Sequence, residues 1–274
     1  MENYSVLMSV YAKESPDYLK LAMDSMWKQT VPTDDFVLVC DGDLTEALDA
    51  VISEMQKDHT NLNVIRYEVN KGLGKALDIG LGYCKNELVA RMDSDDISIP
   101  SRCEQQLRLF EEISGLCICS GAIDEFIDSP DKIVSRRSVP ETQEEIKKRM
   151  RTRSAFNHPA VMYKKSEVIR CGGYGPLKRK QDHDLFSRMM NMGCIAYNIQ
   201  QPILLFRSDE NNLIRRKSWV NCKSYIIAQW NILKRGHCTV GDFLYVVAAQ
   251  MFFLLAPARV VDRVTKKHLR TNAK

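Results

Sequence analysis

The first hundred residues alternate between two hydrophobic periodicities, and this alternation constrains the fold more than any other feature of the chain. Short apolar runs with β-branched residues, typical of buried strands, occupy residues 4–11, 36–40, 62–67 and 88–92. Between these runs, apolar residues recur at helical spacing in stretches that begin near Pro16, Leu44 and Leu73. Strands that alternate with helices form parallel sheets covered on both faces. We therefore predict an α/β fold with a mixed, mainly parallel sheet.

Polar and aromatic residues follow three of the predicted strands. Ser9, Val10 and Tyr11 end the first strand, Asp41 ends the second, and Asp93 ends the fourth. In open parallel sheets, ligands bind beyond the carboxyl ends of the strands. These residues are therefore expected to meet at one edge of the sheet.

The segment Asp93-Ser94-Asp95-Asp96 holds three carboxylates in four residues. Carboxylates this close repel one another unless a cation lies among them, and oxygen ligands suit Mg²⁺ or Mn²⁺. An Asp-x-Asp pattern after a buried strand favours an enzyme that handles a nucleoside diphosphate. The alternative is a tight surface turn, in which Asp and Ser are also common.

Beyond the acidic segment the pattern is less regular. A helix is predicted from about Ser98 and Pro100, whereas residues 116–135 indicate irregular strand and loop. Further helices are predicted at 141–153, at 182–191 and from Trp219 onward.

The carboxy-terminal region contains an uncharged apolar segment at residues 243–258, followed by five basic residues up to Arg270. A spanning helix needs roughly 20 apolar residues, so this segment is short for a span. An apolar helix with a basic flank fits the interface of an anionic membrane. A core helix packed on the domain is the alternative.

The cysteine content and the amino terminus indicate the cellular compartment of the protein. The nine cysteines include no CxxC pair, and several lie in apolar runs where a free thiol behaves as a small hydrophobe. We expect a reducing cytoplasmic environment and no structural zinc. The amino terminus lacks the basic and apolar regions of a secretory signal.

Charge is divided unevenly along the chain. Residues 1–100 hold 18 acidic and 9 basic side chains, and the remaining residues hold 17 acidic and 30 basic. An acidic half suits cation binding, and a basic half suits phosphate-bearing substrates or anionic lipid. Nucleic acid is not expected as a partner, because the basic residues form no stripe and no nucleic-acid-binding motif is present.

With these segments in view, the chain resembles family 2 glycosyltransferases of GT-A fold, and is most similar to bacterial exopolysaccharide and capsule enzymes of the amylovoran-biosynthesis type. The resemblance covers roughly residues 4–215. Five segments in the expected order carry it: Val6-Leu7-Met8-Ser9-Val10-Tyr11, Val37-Leu38-Val39-Cys40-Asp41-Gly42, Asn70-Lys71-Gly72-Leu73-Gly74-Lys75-Ala76, Asp93-Ser94-Asp95-Asp96 and Gln181-Asp182-His183-Asp184-Leu185.

The resemblance implies a nucleotide-sugar donor and assigns donor-binding roles. Ser9, Val10 and Tyr11 would hold the nucleobase, and the Asp41 carboxylate would accept a hydrogen bond from an imide N–H such as uracil N3. Lys75 would add a cation at a helix start, whose N–H groups favour phosphate.

The acidic segment has family roles as well. Asp93 and Ser94 would contact the donor, with Asp93 near the ribose. Asp95 would bind a divalent cation, Mg²⁺ or Mn²⁺, that bridges the diphosphate. Asp96 would support the site indirectly or cap the following helix.

Asp182 is the predicted catalytic base, since an inverting transfer needs one carboxylate beside the acceptor hydroxyl. The family's usual Glu-Asp dipeptide is Gln181-Asp182 here, which puts fine positioning in doubt. Asp184 is the alternative base. His158 is either near a substrate or structural, and Arg215-Arg216-Lys217 forms either a phosphate contact or a solvated loop.

The predicted enzyme is an inverting hexosyltransferase that acts on a saccharide or polyprenyl-diphosphate-linked acceptor in surface polysaccharide synthesis. Residues 1–215 would form the GT-A domain, with a nucleotide-binding half (1–100) and an acceptor-binding half (101–215). Residues 216–274 would form a helical extension that associates peripherally with the inner-leaflet surface of the inner membrane. The alternatives are a sugar-phosphate nucleotidyltransferase and a non-catalytic membrane-bound scaffold.

Overall fold

The described strands form a single mixed sheet. The computed structural model describes residues 2–208, 217–257 and 260. The strands are β1 (Tyr4–Val10), β2 (Asp35–Asp41), β3 (Leu62–Tyr67), β4 (Leu88–Asp93), β5 (Ile97–Ser98), β6 (Leu116–Phe126), β7 (Ile133–Arg137), β8 (Met162–Lys164) and β9 (Ile195–Arg207).

The sheet has a parallel half and a mixed half. Strands β3, β2, β1 and β4 lie side by side and parallel, as the alternating periodicity predicts. Strand β8 is antiparallel to both β4 and β6, so β6 runs in the same direction as β4. Strand β9 is parallel to β6, whereas β5 and β7 pair antiparallel to β9 and β6. The mixed, mainly parallel α/β sheet is confirmed.

Helices cover both faces of the sheet. They are α1 (Pro16–Trp27), α2 (Glu46–Asp58), α3 (Leu73–Tyr83), α4 (Arg102–Glu112), α5 (Gln143–Met150), α6 (Lys165–Arg170), α7 (Gln181–Asn191), α8 (Trp219–Lys234) and α9 (Val240–Leu255), with a 3₁₀ turn at His158–Ala160. Side chains alternate along a strand, so Val6 and Met8 of β1 pack under α1, α2 and α4. Leu7, on the opposite face, lies in the core formed with α3, α5, α6 and α7.

The prediction of irregular structure at 116–135 is wrong for its first half, because β6 is a continuous, fully buried strand of 11 residues. Gly121 and two acidic residues interrupt its apolar pattern. A Cβ at Gly121 would lie 2.7 Å from Ile203 Cδ1, so the glycine permits the close approach of β9. Asp124 and Glu125 are paired with arginines of β7. The polar residues are therefore neutralised within the sheet, which the pattern along one strand does not reveal.

Helix α8 packs on α7, and α9 packs on α8. The Arg235 guanidinium, just after α8, donates to Asp184 of α7 over 2.8 Å. Arg151, after α5, pairs with Asp242 near the start of α9 over 2.6 Å. Among the helices of the described residues, none is both long enough and apolar enough to cross a bilayer. The proposed boundary between the two domains near residue 215 stays a prediction.

Candidate active site

Three carboxylates converge where β4 ends. Asp93, Asp95 and Asp96 each offer an oxygen within 4.8 Å of the others. Burial, together with the charges of Asp93 and Glu14, raises the pKa of Asp95 to about 7. The raised pKa expresses the cost of holding these negative charges together in a poorly solvated place.

Asp96 anchors the end of β9 to this cluster. Its Oδ1 accepts a hydrogen bond from the Arg207 backbone N–H over 2.9 Å. The prediction that Asp96 caps the next helix is wrong, since Ser101 occupies the N-cap position of α4. Asp96 Oδ2 is buried without a hydrogen-bond partner among the described residues. Crowded carboxylates and an unpartnered buried oxygen fit a hard divalent cation.

Glu14 joins the cluster from the loop after β1. The Ser94 hydroxyl donates to Glu14 Oε2 over 2.7 Å, and the Glu14 backbone N–H donates to the Tyr11 carbonyl. Ser9 pairs with Asp93 across the β1–β4 ladder. The first predicted donor-binding segment and the acidic segment therefore lie together, with the Tyr11 ring 43% exposed beside them.

Asp41 organises the loop that leads to α3. Its carboxylate accepts hydrogen bonds from the backbone N–H groups of Lys71 (2.7 Å) and Gly72 (3.0 Å) and from the Tyr67 hydroxyl (2.9 Å). A carboxylate has about four lone-pair positions, so these bonds leave room for one further donor. Its contact with a nucleobase stays a prediction.

The start of α3 meets the start of α7 at Gly74. A Cβ on Gly74 would lie 3.2 Å from Gln181 Cγ and 3.3 Å from the Gly175 carbonyl oxygen. Gly72, the N-cap residue, has φ +84°, a conformation that favours glycine. These two glycines bring the exposed Lys75 and the first turn of α7 to the same side of the sheet.

Asp182 is the second residue of α7 and is half-buried. Burial raises its pKa, but the nearby rings of His158 and His183, the Lys180 ammonium and a hydrogen bond from the His183 backbone N–H outweigh burial and leave the pKa below its usual value. The carboxylate is therefore ionised at neutral pH and able to accept a proton.

Asp184 has a different environment. Both of its oxygens are held in ion pairs, Oδ1 by Arg235 over 2.8 Å and Oδ2 by Arg188 over 3.1 Å. These bonds join α7 to the end of α8. The alternative assignment of Asp184 as base is therefore disfavoured by its geometry.

Arg91 connects the acidic cluster to the surroundings of Asp182, and sequence reasoning did not identify it. Its side chain is 1% exposed and pairs with Asp93, while its Nε and Nη1 have no partner among the described residues. The charge of Arg91 acts on His158 and Tyr174, and both also interact with Asp182. Asp93 and Asp182, almost ninety residues apart, are thus linked through Arg91 and the His158–Tyr174 pair.

His158 lies near Arg91, Tyr174 and Asp182. Its Nε2 is 2.9 Å from the Tyr174 hydroxyl. Burial and the nearby Arg91 lower the pKa of His158 to about 3, so the ring is neutral at physiological pH. Of the basic segment after β9, Arg215 and Arg216 lie outside the described residues, and Lys217 donates to the Ala256 carbonyl.

The architecture and the order of the site segments are those of a known family. Residues 5–186 match the family model described as Glycosyl transferase family 2. The chain belongs to this family. Membership makes the protein a glycosyltransferase, which favours sugar transfer over the nucleotidyltransferase alternative.

Two bacterial relatives are named for glycosyl transfer. The chain is 34% identical over 267 residues to the UDP-Gal:alpha-D-GlcNAc-diphosphoundecaprenol beta-1,3-galactosyltransferase of Escherichia coli, covering 97% of this chain and 96% of that protein. It is 33% identical over 223 residues to the amylovoran biosynthesis glycosyltransferase AmsE of Erwinia amylovora, covering 81% and 83% of the two chains. The predicted resemblance to enzymes of the amylovoran type is confirmed.

Solved glycosyltransferases share the fold. TarS of S. aureus superposes with a TM-score of 0.65 at 16% identity, covering 92% of this chain, and this chain spans 44% of TarS. The mannosyltransferase PcManGT of Pyrobaculum calidifontis, solved with GDP-Man and Mn²⁺, gives a TM-score of 0.63 at 14% identity, covering 97% of this chain and 75% of that one. The GT-A fold is therefore confirmed.

Proposed function

We propose that this glycosyltransferase moves a hexose from a UDP-linked donor to a lipid-linked saccharide, with inversion at the anomeric carbon and dependence on a divalent cation. The observation that carries the proposal is the pair of unlike carboxylate environments joined by Arg91, His158 and Tyr174. One environment is a crowded cluster suited to a cation. The other is a single ionised carboxylate suited to a proton transfer.

The donor would lie along the carboxyl ends of β1, β2 and β4. Tyr11 would pack on the base, Asp41 would accept from its imide N–H, and Asp93 with Ser94 would hold the ribose side. The N–H groups of the first turn of α3 and the Lys75 ammonium would face the phosphates. A match to a relative whose name specifies UDP-Gal supports a uridine donor.

Asp95 would hold the cation, with Asp93 and Asp96 as neighbouring oxygen ligands. A bound Mg²⁺ or Mn²⁺ would supply electrostatic stabilisation of the departing diphosphate. The similar fold of PcManGT, solved with Mn²⁺, supports this role. The buried Arg91 forms an ion pair with Asp93 and would fix the orientation of that carboxylate.

Asp182 would accept the proton of the acceptor hydroxyl as its oxygen attacks the anomeric carbon. A carboxylate whose pKa lies below the usual range is a weak base in water. Exclusion of water by the acceptor raises the pKa and strengthens the base during the reaction. His158 and Tyr174 interact electrostatically with Asp182, and a neutral His158 leaves the carboxylate free to accept the proton.

A donor panel tests this proposal. The purified protein is incubated with UDP-hexoses and an alkyl-diphosphate-linked N-acetylglucosamine acceptor, with Mn²⁺ or with EDTA, and the product is identified by mass spectrometry and NMR. We expect a disaccharide of inverted anomeric configuration only when the metal is present. A product of retained configuration, or turnover that EDTA does not reduce, would contradict the proposal.

We further propose that α9 holds the enzyme on the inner-leaflet surface. Leu244, Tyr245, Phe252 and Leu255 are exposed on this helix, with Leu255 74% and Tyr245 66% accessible. An unpaired apolar face of this kind is unusual in water and typical of an interfacial helix. The lipid-linked acceptor named for the E. coli relative supports such a location. The basic residues that follow α9 lie outside the described residues.

Vesicle co-sedimentation tests the membrane proposal. Replacement of Leu244, Phe252 and Leu255 by Ser should reduce binding to phosphatidylglycerol vesicles at least tenfold, because each buried apolar side chain contributes about 1.5–3 kcal/mol. The matched control is Val134→Ser, since Val134 is 47% exposed on β7, far along the chain. Equal binding of the triple variant and the control would contradict the proposal.

A further inference from the structure

A second cluster of potential ligands lies at the opposite edge of the sheet from the active site. Cys117, Glu167 and Cys194 each place one ligand atom within 4.8 Å of the others. Strand β6 runs in the same direction as β4, so Cys117, near the start of β6, lies at the edge opposite Asp93. The cluster is therefore separate from the donor site.

The three residues come from separate parts of the chain that the fold brings together. Leu116 pairs with Ile195 in the parallel β6–β9 ladder, so their neighbours Cys117 and Cys194 begin adjacent strands. Glu167 lies on α6, and its Oε2 is 3.2 Å from Cys194 Sγ. The expectation of no structural zinc rests on the absence of a CxxC pair, whereas these three residues are brought together only by the fold.

The chemistry of the cluster favours a soft cation. Thiolates select Zn²⁺ over Mg²⁺ and Mn²⁺, which prefer oxygen ligands. In tetrahedral zinc sites the Zn–S distance is about 2.3 Å and the Zn–O distance about 2.0–2.2 Å, so ligand atoms lie roughly 3.5–3.8 Å apart. In this cluster Glu167 Oε2 and Cys194 Sγ are 3.2 Å apart and all three ligand atoms lie within 4.8 Å of one another, which brackets that value. The thiol of Cys171 contacts Cys194 beside the cluster.

The surroundings balance the charge of a bound cation. The Arg170 guanidinium pairs with Glu167 over 2.5 Å and donates to Cys194 Sγ over 3.5 Å. Two thiolates, one carboxylate, one guanidinium and Zn²⁺ sum to zero charge. Glu167 is 23% exposed, so an ion has a path into the cluster although both cysteines are buried.

We propose that Cys117, Glu167 and Cys194 bind Zn²⁺, and that the ion fastens the starts of β6 and β9 to α6. Binding replaces the S–H protons of both cysteines with metal–sulfur bonds and releases two protons to solvent, with no change of oxidation state. Arg170 keeps its bond to Glu167 and orients the carboxylate from outside the metal site.

Cobalt titration tests the proposal, because Co²⁺ occupies zinc sites and absorbs light when bound to thiolates. The full-length protein is reduced, stripped with EDTA and titrated with Co²⁺. We expect sulfur-to-cobalt charge-transfer absorption in the near ultraviolet that added Zn²⁺ abolishes, and a higher midpoint of thermal unfolding with Zn²⁺. Absence of this absorption at saturating Co²⁺ would overturn the proposal.

Variants locate the ion. Cys117→Ser and Cys194→Ser should lose the absorption, and Glu167→Gln, altered only near the surface, should weaken Co²⁺ binding at least tenfold. Cys222→Ser, which removes a buried thiol from α8, is the matched control and should bind as the parent does. Asp95→Ala should also retain the absorption, which separates this site from the active site. An unchanged titration in Glu167→Gln together with either ligand-cysteine variant would exclude the cluster as the binding site.

Discussion

The two halves of the catalytic region place their polar residues by different means. In the donor half, Asp41 and Asp93 end strands β2 and β4, which flank β1 in one parallel sheet, so strand order alone brings them to one edge. In the acceptor half, Asp182 begins a helix and reaches the site only because α7 packs against α3 at Gly74. The comparison shows that one part of the site depends on local periodicity and the other on long-range packing.

Asp95→Ala should have the largest effect, because it removes the proposed cation ligand from the donor half. Electrostatic stabilisation by a metal is worth several kcal/mol, so we expect transfer to fall by about a thousandfold or more. Calorimetric titration of UDP with Mn²⁺ should show the parallel loss of metal-dependent binding. Asp43→Ala, an exposed neighbour of Asp41, is the control and should keep its activity.

Asp182→Asn should lower kcat by about 10²–10⁴, the usual contribution of a general base, while UDP affinity and thermal stability stay unchanged. The paired variant, Asp184→Asn, should do the reverse. It weakens both ion pairs of the buried Asp184 carboxylate and should lower the unfolding midpoint, while folded protein retains turnover. Measurement of kcat and of the unfolding midpoint for both variants tests the comparison directly. If Asp184→Asn loses kcat and Asp182→Asn does not, the assignments of base and structural residue are exchanged.

Arg102→Met should remove hydrogen bonds that connect the donor half of the catalytic region to the acceptor half. The fully buried Arg102 of α4 donates to the carbonyls of Arg91 (2.6 Å), Pro159 (3.1 Å) and Val161 (3.2 Å). Each lost hydrogen bond from a charged donor costs about 1.5–3 kcal/mol, so we expect a loss of roughly 3 kcal/mol or more in the free energy of unfolding. Urea denaturation measures it.

The control for this variant is Arg108→Met on the exposed side of the same helix. Arg108 pairs with Glu104 at a spacing of four residues, which contributes less than about 0.5 kcal/mol. Equal losses in the two variants would show that Arg102 does not join the halves.

His183→Gln should have the smallest effect and should appear mainly at acid pH. His183 belongs to α7, and its ring lies beside Tyr225 of α8. The side chain is 1% exposed, and burial lowers its pKa to about 4. An unfolded histidine has a pKa of about 6.5, so between pH 6.5 and 4 the unfolded state binds more protons. The free energy of unfolding therefore falls as pH falls through this window, by about 2 kcal/mol between pH 6.5 and 5.

Urea denaturation at pH 7 and pH 5 measures this dependence. The difference in the free energy of unfolding between the two pH values should shrink in His183→Gln. It should persist in His59→Gln, which replaces the histidine at the carboxyl end of α2. A parent protein that is equally stable at both pH values would exclude a buried neutral His183.

Sequence patterns predicted most of the donor half. The structure has strand ends at Asp41 and Asp93 and a helix start next to Gly72, as the periodicity predicts. All three are local features of the sequence. The pattern did not predict β6 as one strand, because the partners of Asp124 and Glu125 lie on β7 and those of Gly121 on β9. The pattern also did not identify Arg91 as a site residue. Arg91 lies within a mainly apolar strand, and its role is visible only from the residues that surround it in the fold.

The sequence alone determined the alternating sheet, the acidic segment after β4 and the family of the chain, since each depends on residues close together along the chain. The tertiary structure alone decided that Arg91, His158 and Tyr174 connect Asp93 to Asp182, that Asp184 is held in ion pairs, and that Cys117 and Cys194 meet. These relations join residues that are tens of positions apart. Only the packing of helices on the sheet sets such distances, and so no local pattern encodes them.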